Sequence, residues 1–247
     1  MKKYFVISDI HGFYDEMMVA LNGAGFDIND PTHILISCGD LLDRGRQPKE
    51  CIDFVLSIPE SRRILVMGNH EENLIKILRS FYYNVADKMN GTTQTICDLV
   101  DENYLDSCAL FKASKDERLN RYLNALIDYY ETDKYIFVHS FLPINLYADW
   151  HNATPEEWSQ ARWGNPFETW HFMMTEHKDE FIKMINNKTI VCGHWHTYWA
   201  HNKYHNILIQ QFIQDLDTTP FCDEHIIGLD ACTALCHKVN CVVLEEE

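Results

Sequence analysis

The chain has 247 residues, 46% of them apolar, and a formal net charge of −16. That length and apolar content support a folded core, as one domain or a core with a small cap, and exclude global disorder. So acidic a surface repels nucleic-acid backbones and argues against a DNA- or RNA-binding module, yet it leaves room for an anionic substrate at a local cluster of arginines and bound cations.

Nine cysteines, with no Cys-x-x-Cys pair, read as reduced thiols, mostly small core residues. Cys232 and Cys236 suit one helix face, but no second pair follows. The apolar run behind Met1-Lys2-Lys3 extends only from Tyr4 to Ile7, too short for a signal peptide, and no run has transmembrane length. The expectation is a soluble cytoplasmic protein with no membrane partner and no nucleic-acid scaffold.

In chain order, Tyr4–Ser8 reads as a buried strand and Asp9–Gly12 as a turn. Tyr14–Ala24 is a helix with Met17, Met18 and Leu21 at helical spacing. His33–Cys38 is a second strand. Pro48 then starts a helix whose stripe is Cys51, Phe54 and Val55. Ile64–Met67 is a third strand, followed by Gly68–Glu71 and another helix. Phe81 to about Tyr130 reads as a helical insertion, with Leu119, Leu123, Leu126 and Ile127 on one stripe. Further strands are Tyr135–Val138 and Ile190–Cys192, with β-like runs at Ile207–Ile209, Ile226–Leu229 and Cys241–Leu244. Alternating strands and helices imply an α/β layered fold.

The polar residues fall at the ends of these strands, where ligands of open α/β sheets gather. Asp9 and His11 stand two apart, a spacing that points both the same way on an extended strand end. Asp40 follows the second strand, and its two oxygens can bridge two cations. Asn69 offers an amide oxygen, and His139, His194 and His196 follow later strands. Carboxylate, amide and imidazole together suit manganese, iron or zinc rather than a thiolate site. Two cations about 3.5–4 Å apart clamp a phosphoryl group and acidify a bridging water. His70 beside Asn69 is the candidate proton donor, directed away from the metal ligand and oriented by Asp43. Arg44 and Arg162 are the candidates for gripping phosphate oxygens.

The motifs DIHG (Asp9–Gly12), GDLLDRG (Gly39–Gly45), GNHE (Gly68–Glu71), His139, ARW (Ala161–Trp163) and GH (Gly193–His194) resemble the set of the phosphoprotein phosphatase family of calcineurin-like metallophosphoesterases. The likeness is nearest to short bacterial and bacteriophage-type Ser/Thr phosphatases and runs from Lys2 to about Thr197. It implies one metallophosphoesterase domain over 1–247, a four-layer α-β-β-α sandwich with the metals at one edge. It implies two divalent metal ions, manganese first, with iron or zinc as alternatives. Asp9 and His11 would hold the first, Asp40 would bridge, and Asn69, His139 and His194 would hold the second. His70 would be the general acid paired with Asp43, with Arg44 and Arg162 on phosphate. Ser140-Phe141 departs from the family's usual Ala-Gly. His196 in GHWH either completes the first metal site, as in the wider class, or faces solvent.

The expected substrate is a phosphorylated protein or small phosphoester, with Ser/Thr phosphatase activity leading. The alternative is a symmetrical diadenosine tetraphosphate hydrolase or broad phosphodiesterase. Retention of Asp43 favours the first, because a serine alkoxide leaves poorly and needs an oriented acid. GHWH favours the second. A non-catalytic scaffold is disfavoured because no ligand is missing. Trp150, Trp158, Trp163 and Trp170 read as core or cap packing, His201 and His205 as surface histidines, and Asp230 as a turn residue.

Overall fold

The computed structural model describes residues 2–146, 148–205 and 216–246. Strand β1 (Lys2–Ile7) leads to helix α1 (Tyr14–Ala24), which stops at Gly25 in the left-handed region, φ 84°. Strand β2 (His33–Ser37) leads to α2 (Pro48–Ser57), with Pro48 in the first turn, where its missing N–H costs nothing. Strand β3 (Arg63–Val66) leads to α3 (Asn69–Ser80). Four shorter helices follow: α4 (Val85–Met89), α5 (Thr92–Val100), α6 (Ser107–Lys115) and α7 (Glu117–Asn124). Then come β4 (Leu126–Ile127), β5 (Tyr130–Glu131) and β6 (Tyr135–Phe137).

Helices α8 (Pro155–Ala161), α9 (Pro166–Glu176) and α10 (Lys178–Met184) precede β7 (Thr189–Cys192), and α11 (Thr197–Tyr204) follows it. Thr154 and Asn165 cap α8 and α9 through their side-chain oxygens. Strands β8 (Phe221–Asp223) and β9 (Ile226–Gly228), the short α12 (Thr233–Cys236) and β10 (Cys241–Glu246) complete the described chain.

The strands form two five-stranded sheets, in the orders β10-β1-β2-β3-β4 and β5-β6-β7-β9-β8. The pairs β1–β2, β2–β3, β3–β4, β6–β7 and β7–β9 are parallel. The strict alternation of side chains builds the layers. Tyr4, Val6, Ile34, Ile36 and Val66 meet Phe137, Val191 and Leu229 in a core between the sheets. Phe5, Ile7 and Leu35 face the other way, onto α1, α2 and the helices that follow α3. Ile136, Val138, Ile190 and Ile226 carry the second sheet's outer face, covered by Trp158, Phe167, Trp170 and Phe181. Both sheets are thus buried on both faces, which is why the central strands read as unbroken apolar runs. The layering is the expected α-β-β-α sandwich.

The expected insertion boundary is corrected at its C-terminal end. The stripe Leu119, Leu123, Leu126, Ile127 is not one helix: α7 stops at Asn124, and Leu126–Ile127 pair with Leu65–Val66 of β3. Short apolar spacing cannot separate a last helical turn from a two-residue edge strand. The remainder of the insertion does not merely lie over the core, since Ile96, Leu99, Leu110 and Leu119 are buried within it. The β-like run Ile207–Ile209 lies outside the described residues. Among the described residues no helix is long and apolar enough to cross a membrane.

Candidate metal centre

The ends of β1, β2, β3, β6 and β7 converge at one edge of the sandwich. Backbone bonds tie the turns beyond them together: Asp9 N–H to Gly39 O (3.1 Å), His11 N–H to Asp40 O (2.9 Å) and Gly193 N–H to His139 O (2.7 Å). Asp9, His11, Asp40, Asp43, Arg44 and His194 all have φ between 53° and 74°. Asp and His tolerate this left-handed region better than most residues, and its strain gathers at sites held by their surroundings. The expectation that Asp9 and His11 project alike from an extended strand end is therefore corrected. The chain has left the extended region at both residues. The turns also need glycine. A Cβ on Gly193 would stand 2.0 Å from Asp9 Oδ2 and from Ser8 Oγ, and one on Gly68 would stand 2.1 Å from Asp40 Oδ1.

Two groups of side chains bring ligand-type atoms within 4.8 Å of one another, His11–Asp40–His70 and Asp40–His139–His194. Asp40 belongs to both. Its Oδ1 lies 3.5 Å from His139 Nε2, and its Oδ2 lies 3.9 Å from His11 Nε2 and 3.8 Å from His70 Nε2. The tautomers follow from the neighbours. His11 Nδ1–H donates to Leu42 O (3.1 Å) and His139 Nδ1–H to Cys38 O (2.9 Å), so each Nε2 carries a bare lone pair. His194 donates to the Trp163 carbonyl and turns Nδ1 inward. His139 Nε2 and His194 Nδ1 stand 2.8 and 3.1 Å from Asn69 Oδ1. Lone pairs converging on a carbonyl oxygen repel unless a cation lies among them. This donor set fits divalent metals of the imidazole- and oxygen-binding kind. Asp9 adjoins the second group, its Oδ2 accepting from His194 N–H (2.9 Å) and Ser8 O–H (2.6 Å).

Burial is severe. It raises the pKa of Asp9 well above the ordinary carboxylate range, and Asp230 beside it adds to the rise. Burial likewise lifts Asp230 and Glu71 to about 7. Asp40 goes the other way: burial opposes its charge, but His139, His70, His11 and His194 together hold it ionised.

His70 Nδ1–H donates to Asp43 Oδ2 (2.7 Å), the pairing expected of an oriented acid. Burial works against a charged His70, but Asp40 and Asp43 outweigh it and raise its pKa to about 9. Its ring lies 4.9 Å from the His11 ring, in the same group.

Arg44 is brought in: it donates to His11 Nε2 (2.9 Å), and its Nη2 lies 3.3 Å from His70 Nε2. Arg162 is not brought in by any bond to these residues, and instead pairs with Glu72 (3.0 Å) and Asp128. His196 faces Asp230 at 3.7 Å, and burial, then Arg44, lowers its pKa to about 4. Asp230 also accepts from Cys232 N–H (2.8 Å), the expected turn bond.

Sequence reasoning missed the supports. Glu71 accepts from the N–H groups of Gly68, Asp40 and Leu41 at 3.0, 2.8 and 2.9 Å, locking the second and third turns together. Tyr122 of α7 donates to Glu71, Thr92 of α5 donates to Asp43 Oδ2, and Thr233 donates to the Asp9 carbonyl. Only the GNHE motif carried a signal, and only for Glu71.

A family model described as calcineurin-like phosphoesterase matches residues 2–198. The chain belongs to that family. As a calcineurin-like phosphoesterase it is a hydrolytic enzyme of a family that uses divalent metals. It is 37% identical over 103 residues to the asymmetrical bis(5'-nucleosyl)-tetraphosphatase PrpE of Bacillus subtilis strain 168, a match covering 39% of this chain and 41% of that protein. It is 40% identical over 80 residues to the symmetrical bis(5'-nucleosyl)-tetraphosphatase of Buchnera aphidicola subsp. Baizongia pistaciae, covering 32% and 27%. These matches therefore span well under half of each relative. The solved cold-active protein-tyrosine phosphatase of a psychrophilic Shewanella superposes with a TM-score of 0.60 at 17% identity, covering 100% of this chain and 76% of that one. At that identity the likeness is one of fold.

Proposed function

We propose that this phosphoesterase hydrolyses dinucleoside polyphosphates such as diadenosine tetraphosphate. The carrying observation is the pair of open indoles beside His194. Trp163 is 48% and Trp195 37% exposed, with ring centroids 6.4 and 6.1 Å from the His194 ring. Trp150, Trp158 and Trp170 pack into the core, as the sequence suggests, so Trp163 is the exception of that cluster. Ser140 O–H donates to Gly164 O (2.8 Å) and His194 to the Trp163 carbonyl, so Trp163 stands on anchored backbone. An exposed, anchored indole is a stacking face for a nucleobase. The names of the relatives support the same substrate class.

In this reading Asp9 and His11 hold one metal, with His196 alongside. Asp40, which belongs to both ligand groups, would be shared between them, and Asn69, His139 and His194 would hold the other. Manganese is our first choice for this donor set. When bound, the two cations supply a phosphoryl clamp and an acidified water. His70, held by Asp43, gives its proton to the departing oxygen. Arg44 turns from the imidazoles to the phosphate oxygens, and Arg162 positions α8 rather than touching phosphate.

The second reading, a Ser/Thr phosphoprotein phosphatase, is favoured by the His70–Asp43 bond, because a serine alkoxide demands an oriented acid. Relative kcat/KM on diadenosine tetraphosphate and a phosphoserine peptide, with manganese and chelator controls, separates the two. We expect the dinucleotide to be preferred, and Trp163→Ala to raise its KM about tenfold or more while sparing the peptide. Preference for the peptide, indifferent to Trp163, would replace the first reading by the second.

A further inference from the structure

Helix α5 of the insertion lies along the segment that joins β2 to α2, and a series of contacts ties the two together. Thr92 O–H donates to Asp43 Oδ2 at 2.5 Å. Gly91 sits so close to Arg44 that a Cβ on it would stand 2.5 Å from the Arg44 backbone nitrogen. Further along, Asp98 Oδ2 faces Arg46 Nε at 3.5 Å, and Asp101 Oδ1 faces Lys49 Nζ at 2.5 Å. Helix α4, just upstream of Gly91, is tied to α3, the helix that begins with Asn69 and His70. Its buried Asp87 accepts from Asn73 Nδ2 of α3 (2.7 Å) and from Asn84 N–H (2.7 Å). The insertion therefore grips both segments that carry the His70–Asp43 pair.

Asp43 Oδ2 accepts from both His70 Nδ1–H (2.7 Å) and Thr92 O–H. Its Oδ1 is buried with no hydrogen-bond partner among the described residues. A carboxylate held by one donor can turn about its Cβ–Cγ bond and offer either oxygen. Two donors on the same oxygen fix which one meets the imidazole. Thr92 and Asp43 are both fully buried, so the bond between them is shielded from solvent. A threonine hydroxyl has a single proton to donate, and this one is spent on Asp43.

We propose that Thr92 is a positioning residue for the proton donor of the phosphoester reaction, acting through Asp43 on His70. The inference rests on the reading of His70 as the general acid. In that role the His70 Nε2 proton goes to the departing oxygen as its bond to phosphorus breaks. Nδ1–H stays on Asp43, and Thr92 keeps its own proton. What Thr92 supplies is aim. The imidazole follows the carboxylate it is bonded to, and a displacement of about 1 Å in such a group can cost about 100-fold in rate. The insertion is thereby part of the catalytic framework, and α5 is its point of contact with the acid.

The test is steady-state kinetics of the full-length, manganese-loaded enzyme on two esters. Phenyl phosphate has a basic leaving oxygen that needs the proton; nitrophenyl phosphate has one that leaves without it. Thr92→Val keeps the shape and removes the donor. It is expected to lower kcat on phenyl phosphate about tenfold or more, with KM and metal count unchanged, and to change kcat on the nitrophenyl ester by less than about threefold. Thr92→Ser, which restores the donor, is expected to recover most of the loss. In a His70→Asn background Thr92→Val is expected to cost nothing further, because both changes act on one proton. Circular dichroism checks that each variant is folded. A folded Thr92→Val that matches wild type on phenyl phosphate overturns the proposal. So does an equal loss on both esters, a Thr92→Ser no better than Thr92→Val, or a full further loss in the His70→Asn background. His70→Asn alone keeps the two questions apart. If it retains full activity on phenyl phosphate, His70 is not the acid and the proposal falls with that reading; if it loses that activity while Thr92→Val does not, His70 stands and only the role of Thr92 falls.

Discussion

Asp43 has one oxygen, Oδ2, serving both His70 and Thr92, while its Oδ1 is buried with no partner. A buried carboxylate bonded this way favours the imidazolium over the neutral ring, because its charge, with that of Asp40, stabilises the added proton. The sign of the pH effect follows. The folded pKa of His70 is about 9 against an ordinary 6.5, so its contribution to stability is fully present below 6.5 and is lost as pH rises through 9. In metal-free protein, the His70 ring protons are therefore expected to titrate near 9 by NMR. Asp43→Asn is expected to bring that midpoint down toward 6.5. A midpoint unmoved by Asp43→Asn would remove Asp43 as the group that holds the proton. In the metal-loaded enzyme, His70→Asn is expected to keep its metals and lose most activity on esters with poor leaving groups. Full activity in that variant would remove His70 as the acid.

At the scale of elements, the centre depends on strand ends that approach within atomic contact. Gly193, at the end of β7, leaves room for Asp9 Oδ2 and Ser8 Oγ beyond β1. Gly193→Ala is expected to push the two sheets' edges apart, cost about 1–3 kcal/mol by urea denaturation and weaken metal binding. Unchanged stability and metal content would mean that the edge yields without cost. The sequence made this arrangement legible because each strand end pairs a continuous apolar run with a short, chemically loaded turn. Asp40, Asn69, His139 and His194 were readable as one set for that reason. The supports were not. Tyr122 and Thr92 reach the site from helices 51 and 49 positions from Glu71 and Asp43, and no local spacing encodes such a contact. Strands β4 and β5 were hidden because two residues carry no period. Helices α8 to α10 were hidden because their aromatic residues serve one sheet face without a clean helical stripe. Arg162 carried an ambiguous signal for a further reason: a guanidinium suits phosphate and carboxylate alike, and here it pairs with Glu72 and Asp128.

At the scale of the molecule, a chain of net charge −16 concentrates carboxylates where it can least solvate them. Asp9, Asp40, Asp230 and Glu71 are all buried at the same edge. Ionising Asp230 and Glu71 in metal-stripped protein is opposed by burial, with folded pKa values of about 7 against ordinary values of 3.8 and 4.5. A raised folded pKa means stability that is present below the ordinary value and lost as pH rises through the folded one. The stripped protein is therefore expected to lose stability between about pH 4 and pH 7, with Asp40, held ionised by its imidazoles, running the other way. Divalent cations reverse the loss, because they bind the ionised carboxylates and neutral imidazoles and stabilise the folded state by mass action. The melting temperature is expected to rise with added manganese, by more at pH 8 than at pH 5. Asp40→Asn, which removes the charge shared by both ligand groups, is expected to abolish most of that rise at pH 8. A manganese effect that is as large at pH 5, or that survives Asp40→Asn intact, would place the stabilising cations elsewhere on the acidic surface.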